Sequence, residues 1–80
     1  MTLKRIETYC EEIKLVIEEE VFYSSQGCPE IWARLDIYEN GDHVNDYVLQ
    51  SIELAKKQAS LEFGVANDAW VELEPVEENP

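Results

Sequence analysis

Apolar and polar residues alternate most cleanly in the middle of the chain, where Ile31, Ala33, Leu35 and Ile37 share one parity and Trp32, Arg34, Asp36 and Tyr38 share the other. A period of two sustained over eight residues predicts a strand with one buried face. This stretch runs into Glu39-Asn40-Gly41-Asp42, and Asn-Gly favours a two-residue hairpin turn because both positions tolerate positive φ. A returning strand is expected from Val44 to Leu49. Ser51 then reads as a helix N-cap, with Glu53 in the first turn where negative charge suits the helix dipole. The helix extends from Ile52 to about Phe63 and stops at Gly64. Its stripe of Ile52, Ala55, Ala59 and Phe63 has helical spacing and is expected to face a sheet. Residues 69–74 alternate again and predict a last strand before Pro75, with the tail Pro75 to Pro80 expected to fray.

The first third of the chain satisfies two templates. Leu3, Ile6, Cys10, Ile13 and Ile17 repeat at 3-4-3-4, a helical seam, while Ile13, Leu15 and Ile17 alternate and Val21-Phe22-Tyr23 are strong β-formers. A strand from about Ile13 to Tyr23 pairs naturally with Ile31 to Tyr38 across the loop Ser24-Ser25-Gln26-Gly27-Cys28-Pro29. Residues 3–10 are left as either a short extra strand or a helical turn. The reading is one α+β domain over residues 1–80, a small antiparallel sheet in β-β-β-α-β meander order with one helix packed on one face.

Composition narrows the function. Eighteen Asp and Glu stand against six Lys and Arg, a net charge of −12, with 45% hydrophobic residues. That apolar content is too high for a disordered acidic tail. The charge repels nucleic acid and anionic lipid, so neither is expected as a direct partner, and the inverse partner, a protein with a basic surface, is favoured. No apolar run approaches the roughly 20 residues of a membrane span, and no apolar segment follows Lys4 and Arg5, so a cytoplasmic protein is expected. Cys10 and Cys28 fit no metal or redox spacing and read as free thiols.

Candidate chemistry is sparse. His43 is the only histidine, and Asp36, Glu39, Asp42 and Asp46 lie near it in sequence, but the stretch from Asp36 to Gly41 places Ile37 and Tyr38 where a calcium loop needs oxygen ligands. Zinc would want more nitrogen or sulfur donors, so a solvated turn with no metal and no other cofactor is the expectation. Ser24, Ser25 and Cys28 have no base other than His43 at a hairpin tip, and the three glycines, Gly27, Gly41 and Gly64, are isolated. The chain is not expected to be an enzyme.

Strand parity leaves one open sheet face. Trp32, Arg34, Asp36 and Tyr38 are expected there beside Lys14, Glu18, Glu20 and Phe22, so aromatic anchors and carboxylates share a surface suited to a protein partner. Residues 7–20 carry six acids against Lys14, residues 30–46 five against Arg34, and residues 72–78 four against none, whereas the helix balances Glu53 and Glu62 with Lys56 and Lys57. The predicted partner-binding set is Glu18, Glu20, Trp32, Asp36, Tyr38, Glu39 and Glu72. Leu54 and Leu61, seven apart on the outer face of the helix, offer a second surface for self-association as a homodimer or for docking as a small scaffold or regulatory subunit.

In size, acidity and element order, with the Tyr38-Glu39-Asn40-Gly41 hairpin followed by the helix after Ser51, residues 13–74 resemble the small proteins that phages and mobile elements encode to block host defence, anti-CRISPR proteins among them. The resemblance is one of pattern, with no shared motif. It implies a non-enzymatic inhibitor in the host cytoplasm that occupies the Lys and Arg surface of a nucleic-acid-binding or defence complex by mimicking nucleic acid.

Overall fold

The computed structural model describes residues 2–73. Its elements are β1 (Thr2–Cys10), β2 (Ile13–Tyr23), β3 (Pro29–Glu39), β4 (Asp42–Leu49), α1 (Ile52–Phe63) and β5 (Val71–Leu73). They form one antiparallel sheet in the order β4-β3-β2-β1-β5 with the helix on one face. The small α+β architecture matches the sequence reading; the tail from Pro75 to Pro80 lies outside the described residues.

Two features of the sheet go beyond the expected meander. Residues 2–10 are a full strand, because β2 is long enough to need a partner on both sides and β1 supplies the inward residues Ile6 and Thr8, 4% and 6% exposed. The helical seam fails at Leu3, which is 37% exposed. The last strand does not continue the meander at β4 but joins the far edge, pairing Arg5 with Leu73 and Glu7 with Val71. A helix of 12 residues spans about 18 Å, close to the four strand spacings of about 4.8 Å that separate β4 from β5. α1 packs over β2, β3 and β4, and the segment after it completes the crossing. The Thr8 hydroxyl donates to the Ala69 carbonyl oxygen at 3.1 Å and fixes that segment beside β1.

The core lies between α1 and the sheet. Ile6, Leu15, Ile17, Leu35 and Ile37 meet Ala55 and Ala59, whose small side chains let the helix axis approach the strands, and Val65 closes one end. Ser51 caps the helix as its hydroxyl accepts from the Leu54 amide at 3.2 Å, and Gly64 ends it with φ of 70°. The β3–β4 hairpin closes through Asn40 and Gly41, both at positive φ, 52° and 86°, the geometry that Asn-Gly favours. Cys10 and Cys28 sit at opposite ends of β2's length, both free, too far apart to bridge.

Candidate functional site

The face away from α1 is built by parity. Register places Lys14 beside Tyr38, Val16 beside Asp36, Glu18 beside Arg34 and Glu20 beside Trp32, and Arg5, Glu7 and Tyr9 of β1 extend the row. The expected aromatic and charged residues of β2 and β3 therefore share one surface, but the carboxylates there are not free. Arg34 reaches Asp36 at 3.0 Å, Glu20 at 3.4 Å and Glu18 at 3.6 Å, while Arg5 approaches Glu18 at 3.9 Å and Lys14 approaches Glu7 at 3.5 Å. The side chains of Asp36, Glu20 and Glu18 are only 8%, 17% and 20% exposed. Burial alone would lower the pKa of Arg34, but the hydrogen bond to Asp36 and the attraction of Asp36, Glu20 and Glu18 outweigh it and leave the pKa raised.

The residues of the partner-binding set read from sequence do not lie together on one free surface. Glu18, Glu20 and Asp36 already share the Arg34 guanidinium, because parity that gathers acids on this face also gathers Arg5, Lys14 and Arg34 there. Glu72 pairs in register with Ile6, so it belongs to the helix side of β5, 3.9 Å from Lys4. Glu39 pairs with Ile13 and also has helix-side parity, although at the hairpin end it is exposed. Trp32 is half-buried and donates its indole N–H to Glu30 at 3.2 Å. Tyr38 lies between Lys14, 6.0 Å above its ring, and His43, stacked edge-on at 5.2 Å.

Four acids without ion pairs come together at one end of the sheet. The β1–β2 turn holds Glu11 and Glu12, the β3–β4 turn lies between Glu39 and Asp42, and the Asn40 amide donates to the Glu12 carbonyl oxygen at 3.3 Å, joining the two tips. All four acids are exposed, and among the described residues none makes an ion pair. Beside them a groove of about 540 Å³ is lined by Tyr9, Tyr38, Glu11, Glu12, Lys14, Arg5 and Gly41. Glu11 holds φ of 56°, a left-handed conformation that costs a glutamate about 1–2 kcal/mol. Tyr9, Glu11, Glu12 and Asp42 were not among the residues predicted from sequence; reading residues 3–10 as a strand would have turned Glu11-Glu12 into a second hairpin tip beside the first.

At the opposite end of the face, Phe22, Trp32 and Val48 line a shallow apolar cleft of about 250 Å³. Leu54 and Leu61 on the outer side of α1 are 45% and 75% exposed. Ser24 has a structural task, since its hydroxyl accepts from the amides of Cys28 at 3.1 Å and Gln26 at 3.3 Å and shapes the β2–β3 loop. No helix among the described residues is long and apolar enough to cross a membrane. A scan against protein-family models and searches of curated proteins and of solved structures find no match.

Proposed function

We propose that this protein is a non-catalytic binding module that takes the basic surface of a protein partner at its paired hairpin tips, acting as an acidic inhibitor of nucleic-acid binding. The observation that carries the reading is the group of four exposed, unpaired carboxylates, Glu11, Glu12, Glu39 and Asp42, beside a groove walled by Tyr9 and Tyr38. Free carboxylates steer and orient Lys and Arg, and tyrosine rings supply contact area at low entropic cost and stack on guanidinium groups. Surfaces that hold phosphates concentrate Lys and Arg, so a nucleic-acid-handling protein, such as a host defence complex, is the class of partner that fits.

The test uses an arginine-rich peptide as the probe, followed by fluorescence anisotropy. Binding is expected to weaken steeply with salt and to fall about tenfold or more when Glu11, Glu12 and Glu39 become Gln and Asp42 becomes Asn. Replacement of Glu53 and Glu62 on the helix is expected to change it far less. Salt-insensitive binding, or equal loss in the two variants, contradicts the proposal.

The exposure of Leu54 and Leu61 favours a second reading, a scaffold or regulatory subunit that docks or dimerises through α1. On that reading Leu54→Glu with Leu61→Glu lowers the sedimentation mass; a wild-type chain that sediments as a monomer at high concentration counts against dimerisation.

A further inference from the structure

Beyond the hairpin tips, one cluster on the open face brings three side chains with metal-ligating atoms together. Asp36 on β3 and His43 and Asp46 on β4 present one ligand atom each, all within 4.8 Å of one another. We propose that these three residues form a site for a divalent transition-metal ion, with zinc as the fitting representative.

The backbone gives the first argument. Residues 43 and 46 are an odd number of positions apart, so a regular strand would send them to opposite faces. The β3–β4 register pairs Asp36 with Asp46 and Ile37 with Asn45, then shifts and pairs Tyr38 with His43, leaving Val44 as the extra residue of a bulge. The bulge turns His43 onto the face that holds Asp36 and Asp46. Bulges recur where a side chain is re-aimed toward a function.

Electrostatics gives the second, independent argument. Asp36 and Asp46 are directly opposite on adjacent antiparallel strands, a position where like charges destabilise the pair. Asp36 is 5% exposed, and Asp46 makes no ion pair among the described residues. The local group of four carboxylates, Glu18, Glu20, Asp36 and Asp46, meets two fixed cations, Arg5 and Arg34, which leaves two negative charges. One divalent ion balances that excess.

Along the sequence one histidine offers few donors for zinc, but the fold adds two carboxylate oxygens to that imidazole. Zinc takes imidazole nitrogen and carboxylate oxygen at about 2.0–2.2 Å, so neighbouring donors of a tetrahedral site stand roughly 3.3 Å apart. His43 Nε2 and Asp36 Oδ1 share a hydrogen bond at 3.1 Å that a bound ion would replace, and exposed Asp46 offers the third donor within 4.8 Å. Arg34 holds the other oxygen of Asp36 at 3.0 Å and fixes the carboxylate, as outer partners of metal ligands do. Calcium, which takes six to eight oxygens, is poorly served by two carboxylates. The fourth zinc position faces solvent.

Calorimetric titration of the full chain with zinc, calcium and magnesium tests the site. Zinc is expected to bind one ion per chain, in preference to the other two, and His43→Ala and Asp46→Asn are expected to weaken it by at least about tenfold. Glu39→Gln with Asp42→Asn, and Cys28→Ser, remove other exposed donors and are expected to leave that affinity unchanged. Circular dichroism confirms the fold of each variant. Absence of saturable zinc binding, full affinity in His43→Ala, or calcium bound as tightly as zinc overturns the proposal.

Discussion

Arg34 is the residue of the open face whose loss would isolate most charge, since Asp36, Glu20 and Glu18 all depend on it within 3.6 Å. Arg34→Ala removes the shared cation of three largely covered carboxylates, leaving Glu18 with Arg5 alone, and a stability loss of about 2 kcal/mol is expected, between the values for exposed and buried ion pairs. A lower urea midpoint is the readout; an unchanged midpoint would mean that the face is more hydrated than its packing indicates. Tyr47 gives a pH signature. Its hydroxyl donates to Glu62 at 2.6 Å, and this bond, followed by burial and the charge of Glu62, raises its pKa. A raised folded-state pKa stabilises fully below the unfolded value, about 10, and that contribution is lost as pH rises through the higher folded value. Tyr47→Phe is therefore expected to lose less stability than wild type between pH 9 and pH 11, measured by urea unfolding. At this scale parity placed the side chains from Ala33 to Tyr38 on the expected faces, while Ile31, expected under the helix, is 53% exposed, and pairing by Arg34 was hidden because it depends on which strand lies beside which.

Local grammar was most legible at the level of elements. Ser51, Asn40-Gly41 and Gly64 act through their own backbones, so the cap, the hairpin and the helix stop could all be read without knowing the sheet. The strand β1 was ambiguous because Ile6, Cys10, Ile13 and Ile17 fit a helical seam as well as a strand, and only the presence of β2 decides between them. The bulge at Val44 left no sequence signal, which is why His43 read as part of a solvated turn. The Glu11 turn offers a trade between stability and binding. Glu11→Gly removes the left-handed strain and is expected to raise stability by about 0.5–1 kcal/mol while weakening capture of a basic peptide. Thermal melting and anisotropy on the same variant check both; a loss of stability would show that the Glu11 side chain, not its backbone, holds the turn.

Across the whole molecule, charge is sorted by depth as much as by face. The acids of the open face share Arg5, Lys14 and Arg34 and are half-covered except at Asp46, the helix carries equal numbers of acids and bases, and four carboxylates without ion pairs sit where two hairpins meet. Summed over the sequence the charge of −12 looks diffuse; the fold brings four of its carboxylates without ion pairs together at one end. The small core makes this arrangement sensitive. Domains of this size hold about 3–5 kcal/mol, and Leu35→Ala, at a fully buried position, is expected to cost about 2–5 kcal/mol and leave a substantially unfolded chain by circular dichroism.

The central claim, that the paired hairpin tips are the binding end of the molecule, is tested most directly by amide chemical-shift mapping as an arginine-rich peptide is titrated into the labelled protein. The account predicts that the largest shifts fall at Tyr9, Glu11, Glu12, Tyr38, Glu39 and Asp42 and shrink with added salt. Shifts centred on Leu54 and Leu61, or spread evenly over the acidic residues, would contradict it.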